Sequence, residues 1–300
     1  MTPTLRPFEI PSVIFFDEGQ GGLPRARITS EHAQAEVYLH GAQVTAFQKR
    51  GEPPLLFLSR ASRFAVGKAI RGGIPICYPW FGQRPGEAAH GFARLTDWEL
   101  VETSTTGAGG AAMKLRLPQA LAPVAWRHLQ AELIVIVEEH LALELTITNQ
   151  SESSPVEVEN CFHTYFAVGD VREVEITGLE SCRYLDQLDP KQVRTESAKP
   201  LRISAQTDRT YLDALGLIEI RDPVWRRAIR IEKTGSASTV VWNPWSTQPL
   251  ADLASGEHLH MVCVESGNVG RNRLVLEPQE DATLHVEFRS IPLSHRGQGR

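Results

Sequence analysis

The sequence has no apolar run long enough to cross a bilayer. Its longest such stretch, Leu133 to Val137, has five residues, and Ile74 to Gly82 is broken by two prolines, whereas a membrane helix needs roughly 18. Basic clusters are also missing. The charge is 31 basic against 36 acidic residues, or −5, with no lysine-rich or arginine-rich run, so neither nucleic acid nor an anionic membrane is expected as a partner. The four cysteines, Cys77, Cys161, Cys182 and Cys263, show no CxxC spacing. They read as reduced small hydrophobes, with no disulfide framework and no metal site. Pro3, Pro7 and Pro11 stand among polar residues where a secretory signal would have a charged start and an apolar middle, so a cytoplasmic location is expected.

Several catalytic signatures are absent as well. There is no G-x-x-x-x-G-K-[ST], no H-E-x-x-H and no G-x-S-x-G, which removes the simplest routes to a nucleotide hydrolase, a zinc protease or an α/β-hydrolase. Gly107 to Ala112 fits G-x-G-x-x-A, but a strand pattern follows it where a dinucleotide fold needs a helix. It reads as a hairpin loop. His258-x-His260 could put two imidazoles on one strand face, yet no third ligand is near in sequence, so no metal is expected.

Convincing helical periodicity is scarce, and what is present is alternation of period two. Leu133, Val135 and Val137 alternate along one strand, and Leu141, Leu143, Leu145 and Ile147 along the next. Met113, Leu115 and Leu117 repeat the pattern, as do Leu284, Val286 and Phe288. Turn chemistry separates them at 19–22, 51–54, 107–110, 151–155 and 222–223. The reading is a mostly β protein, a large antiparallel sandwich with few short helices. No stretch looks like a linker. A single domain over 1–293 is expected, followed by a polar tail at 294–300.

Four blocks depart from plain strand composition. The first is Ala69 to Gly82 with Ala89 to Trp98, where paired glycines, prolines and aromatics suit a binding wall. Arg71 and Arg94 lie in it, to be read as solvated surface arginines or as a phosphate clamp. The second is Glu157 to Phe166; as one strand it would put Glu157, Glu159, Cys161 and His163 on one face. The third, Leu259 to Glu265, ends on a carboxylate that is either a strand-end surface group or a partly buried base. The fourth is Val240 to Trp245, in which Trp242 and Trp245, with Trp80, could offer flat faces for sugar C–H groups.

In order along the chain, Arg-Gly-Gly-Ile-Pro, His-Gly-Phe-Ala-Arg, the His163 block, Asp208-Arg-Thr-Tyr211, Trp-Asn-Pro-Trp and Val-Cys-Val-Glu265 resemble the hexose-6-phosphate mutarotases. These are the glucose-6-phosphate 1-epimerase branch of the aldose-1-epimerase-like proteins. The resemblance covers about Arg71 to Glu265 and implies a galactose mutarotase-like β-supersandwich. It implies an isomerase that interconverts α and β anomers of a small-molecule sugar phosphate, glucose 6-phosphate foremost, with no cofactor. By the same resemblance His163 is the general acid and Glu265 the general base. Arg71 and Arg94 would bind the phosphate, and His90 and Asp208 would line the sugar site. Some relatives carry glutamine before the His-Gly pair; this chain has Ala89.

The chemistry asks for no more than two acid–base groups. Ring opening removes a proton from the C1 hydroxyl and gives one to the ring oxygen, and a carboxylate beside an imidazole is expected to hold the imidazole charged and ready to donate. A general aldose 1-epimerase and a non-catalytic sugar-phosphate binding module are the alternatives. The second has no use for an acid and a base. A glycosidase would need two flanking carboxylates, and only Glu265 and, loosely, Asp208 are on offer. A monomer is compatible with the sequence.

Overall fold

The structure is a computed structural model that describes residues 3–189 and 192–293. The expected tail at 294–300 lies outside the described residues. Two eight-stranded antiparallel sheets dominate, with a four-stranded and a two-stranded sheet beside them. The only helices among the described residues are short 3-10 turns, as the lack of helical periodicity predicts. The four-stranded sheet is the N-terminal meander Ile14–Glu18, Pro24–Thr29, Ala33–Tyr38 and Gln43–Lys49.

One large sheet contains the strands with clean alternation. Its order is Glu175–Thr177, Ile218–Asp222, Arg227–Thr234, Asp281–Pro292, Leu141–Asn149, Leu129–Val137, Ala111–Arg116 and Glu99–Thr105. Leu133, Val135, Leu143, Leu145, Val286 and Phe288 are all buried on its inner face. The 107–110 segment is the hairpin loop joining the last two strands in that order, in agreement with the sequence.

The other large sheet carries the site. It runs Val193–Thr195, Arg183–Asp186, Thr207–Leu212, Ser238–Asn243, Met261–Asn268, Asn160–Phe162 and Ile76–Cys77, with Tyr165–Ala167 pairing back onto Met261–Asn268. Tyr211, Val241, Phe162, Val262 and Val264 join the main core between the sheets. Phe166 of this sheet meets Phe288 of the other edge to face, with ring centroids 5.4 Å apart. Because successive side chains point to opposite faces, Cys161, Val240, Trp242, Cys263 and Glu265 must face the other way.

The second block of the sequence is not one strand. It breaks into Val156–Val158, Asn160–Phe162 and Tyr165–Ala167, the first paired with Leu274–Leu276. Glu265 is likewise not at a strand end but inside Met261–Asn268, and His258 and His260 belong to the 3-10 turn Glu257–His260 that precedes it.

Candidate active site

The outward face of the site sheet forms the floor of a cavity of about 690 Å³. Register fixes which side chains share it. Asp208 lies opposite Trp242, Trp242 opposite Cys263, and Val240 opposite Glu265. His163 falls in the gap between Asn160–Phe162 and Tyr165–Ala167, both of which pair with Met261–Asn268. Its backbone N–H donates to the Pro75 carbonyl at 3.0 Å. His163 and Glu265, 102 positions apart in the chain, therefore meet: Nε2 stands 3.4 Å from Oε1. Both are buried, at 6% and 1% exposure.

Packing fixes each member of the pair. The His163 ring stacks on Tyr165 at 4.8 Å and 10°, with Trp242 and His90 edge-on. The second oxygen of Glu265 accepts from the Cys161 thiol at 3.7 Å. Burial then sets the charges, because a low-dielectric site disfavours the ionised form. Burial, followed by the Asp208 charge, pushes Glu265 well above the ordinary carboxylate value. Burial, followed by His90 and the guanidinium groups of Arg94 and Arg71, pushes His163 well below the ordinary imidazole value. The expectation that Glu265 holds His163 charged is thus corrected: desolvation outweighs their attraction and drives both toward neutrality.

The other expected site residues, Arg71, His90, Arg94 and Asp208, all line the cavity. The wall that holds His90 depends on Gly91, at φ +77°, where a Cβ would come 1.9 Å from the Tyr78 carbonyl oxygen. Only glycine permits that approach. His90 Nδ1 accepts from the Gly82 N–H at 3.3 Å, which leaves its proton on Nε2. Burial and the charges of Arg94 and Arg71 push it down to about 3, so His90 is a neutral hydrogen-bonding group. Asp208 is pushed up to about 6 by burial and by Asp186.

The two arginines differ. Arg94 Nη2 donates to the Ala89 carbonyl, while its buried Nε has no partner among the described residues. Arg71 is not a free fork. Its Nε and Nη2 are held by the Asp252 carboxylate, each at 3.1 Å, and its Nη1 donates to the Tyr165 hydroxyl at 2.8 Å. Neither is the solvated surface group that composition alone favours.

Of the three tryptophans considered for the site, only Trp242 lines the cavity. Trp245 lies against His258, and Trp80 packs on Phe92 and Trp126. The structure adds residues that the sequence reading gave no role. Glu159 takes the N–H groups of Phe81 and Gly270, tying two rim loops together. Asp252 orients Arg71 from a loop with no sequence signal. Cys263 lies with His163 and Glu265, their ligand atoms all within 4.8 Å of one another. Period two along Met261–Asn268 would have found it.

A histidine and a glutamate in contact on the floor of a hollow of about 690 Å³, with guanidinium groups at its wall, suit an enzyme that moves protons on a carbohydrate. The chain belongs to the aldose 1-epimerase family, which it matches across residues 24–289. It is 34% identical to a protein of Cenchrus ciliaris provisionally named glucose-6-phosphate 1-epimerase, with 87% of this chain and 82% of that one covered. A protein of Escherichia coli K12 with the same provisional name is 30% identical, over 83% and 85% of the two chains. Among solved structures, a provisionally assigned mutarotase of Salmonella typhimurium superposes with a TM-score of 0.85 at 24% identity, 95% of each chain being covered. The protein HI1317 gives 0.80 at 26% identity, over 94% and 97%. The fold is the mostly β supersandwich of the mutarotases, and the chain is an epimerase, an isomerase acting on carbohydrate.

Proposed function

We propose that the chain interconverts the α and β anomers of hexose 6-phosphates, glucose 6-phosphate foremost. The observation that carries this reading is the meeting of His163 and Glu265 at 3.4 Å inside a cavity that Arg94 also lines. The provisional names of the curated relatives support the same substrate.

The pair carries one proton in total. With that proton on His163, the imidazolium gives it to the ring oxygen while the Glu265 carboxylate takes the proton of the C1 hydroxyl. The C1–O5 bond breaks, C1=O1 forms, and the sugar opens to the aldehyde. The pair then stands as neutral imidazole and carboxylic acid, still with one proton, which is the form that burial favours. The same burial makes the ion pair from which the step starts the costlier arrangement, so the ring-opened state returns the pair to the form it holds at rest. Rotation about C1–C2 and the reverse transfers complete the exchange.

Arg94 has donors to spare for the phosphate, and charge-assisted bonds to a guanidinium suit it. Arg71 adds charge, with its fork already engaged. That engagement favours one second reading, an aldose 1-epimerase indifferent to phosphate. Anomer exchange followed by NMR on glucose 6-phosphate and on glucose separates the two. Preference for the phosphate ester supports the proposal, and equal turnover of glucose removes it. In the same assay His163→Ala or Glu265→Gln should each lose about 10² to 10⁴ in rate; near-normal turnover in either variant rules out the pair.

A further inference from the structure

We infer that His163, Cys263 and Glu265 form an inhibitory binding site for a thiophilic divalent cation, with Zn2+ as the fitting ion. The site does not depend on which sugar the cavity takes.

The three ligand atoms lie within 4.8 Å of one another. With Zn–N and Zn–O bonds of about 2.0–2.1 Å, the edge of a tetrahedron between nitrogen and oxygen is about 3.4 Å. The observed separation of His163 Nε2 from Glu265 Oε1 is 3.4 Å, so these two ligands already stand at coordination spacing. Cys263, within 4.8 Å of the other two, must close by no more than about an ångström to reach a Zn–S distance of about 2.3 Å.

The donor set selects the ion. One imidazole, one thiol and one carboxylate suit Zn2+ and exclude Mg2+ and Ca2+, which want a shell of oxygens. His163 and Glu265 line the cavity while Cys263 is fully buried behind them. The fourth position of the tetrahedron thus opens to the cavity, where water or a sugar hydroxyl can occupy it. The packing that holds the His163 ring on Tyr165 and Trp242 also fixes the direction of its nitrogen.

Charge balance explains why the site accepts a cation it does not need. Coordination releases the Cys263 thiol proton and the single proton of the acid–base pair, so a thiolate, a carboxylate and Zn2+ leave the buried cluster with no net charge. A bound ion occupies both groups that turnover requires. Because two protons leave, affinity must rise with pH.

The test reads binding without reference to any substrate. Co2+ is titrated into the full-length protein and the thiolate-to-Co2+ charge-transfer absorption is followed, then Zn2+ is added to displace it. Wild type should show the band saturating at one equivalent, stronger affinity at higher pH, and no competition from Mg2+ or Ca2+. Losing even an outer partner of a metal site costs about 10–100-fold, so Cys263→Ser should abolish the band and weaken Zn2+ at least tenfold. Cys182→Ser, at the half-exposed thiol, should retain both. Cys263→Val is run alongside, with thermal unfolding to show that both Cys263 variants are folded. No band in wild type, or a band that survives in Cys263→Ser, overturns the inference. Inhibition of anomer exchange by buffered Zn2+ is measured separately, so a cavity that takes another sugar leaves the binding result intact.

Discussion

His163 and Glu265 are almost cut off from water, and that isolation decides where each takes up or gives off a proton. In the proposed mechanism turnover needs the state with one proton on the pair, which is lost when a second is added or the only one is removed. The two steps belong to the pair and not to either residue. Burial places the acid step below the ordinary imidazole value, and the alkaline step above the ordinary carboxylate value. Burial therefore moves the two steps apart and widens the range over which kcat is flat. Cys161 tunes one end. Its thiol is the donor that holds Glu265 down, so Cys161→Ala should move the alkaline limb upward by about half a pH unit, the worth of a weak hydrogen bond. Cys161→Ser, which restores a donor, should bring it back; an unchanged limb in both would show that the thiol only fills space. A second expectation concerns the guanidinium charges that depress His163. A phosphate on Arg94 cancels part of that field and makes the imidazolium easier to form. Inorganic phosphate should then stimulate turnover of glucose, which has no phosphate of its own. Inhibition or no effect, in an anomer-exchange assay with added phosphate, would show that phosphate acts on binding alone.

Elements with one wet face could be read from the sequence, and those that build the site could not. Leu129–Val137 alternates throughout and Leu141–Asn149 from Leu143 onward, because there every second residue meets water. Met261–Asn268 is buried at all eight positions, so its pattern shows a strand but not which face holds the chemistry. Asn160–Phe162 is buried throughout and Ile76–Cys77 has two residues, too few for any period. What stood in for periodicity was composition: glycines and prolines marked the wall, and the ordered blocks carried His163, Glu265, His90, Arg94 and Asp208. Asp252 and Glu159 left no such mark, because they act on backbone and on another side chain from loops or strand margins. Glu159 tests this element-level role. Its carboxylate accepts the Phe81 N–H at 2.9 Å and the Gly270 N–H, and hydrogen bonds to a charged group are worth about 1.5–3 kcal/mol each. Glu159→Ala should loosen both rim loops and raise KM about tenfold, the equivalent of roughly 1.4 kcal/mol. The acid–base pair is anchored elsewhere, on Met261–Asn268 and at the Pro75 carbonyl, so kcat should stay within about threefold of wild type, or roughly 0.6 kcal/mol. A fall in kcat with KM unchanged would mean that Glu159 acts on the chemistry and not on the rim.

At the scale of the whole molecule the site is a cost to stability, and its pH dependence can be worked out. Asp208 titrates at 3.8 when exposed and at about 6 in the folded chain, through burial and the Asp186 charge. A carboxyl whose folded value is raised binds more protons in the native state than in the unfolded one between those two values. Stability from this group therefore falls as pH rises from 3.8 to about 6, and the full penalty stands above that. Lys233 adds a second cost of opposite pH sense. Burial pushes it down from 10.5 to about 8, so its penalty is complete below about 8 and fades as pH rises toward 10.5. At pH 7 both act. They differ in use: Lys233 serves the scaffold, donating to the Ser238 carbonyl and the Thr239 hydroxyl, whereas Asp208 faces the cavity and, among the described residues, holds no side-chain partner that would offset its burial. Asp208→Asn removes the charge and keeps the shape. It should stabilise the protein at pH 7 by about 2 kcal/mol, since each pH unit between the exposed and folded values is worth about 1.4 kcal/mol and solvent screening takes some of it back. The melting temperature should rise by roughly 3–6 °C. Near pH 4 the wild-type carboxyl is already mostly protonated in the folded chain, and the gain should shrink to little. Affinity for the sugar should fall in the same variant, since a carboxylate with two acceptor oxygens facing the cavity is replaced by an amide with one. An equal gain at pH 4 and pH 7, measured by thermal unfolding, would assign the effect to packing and remove the charge from the account.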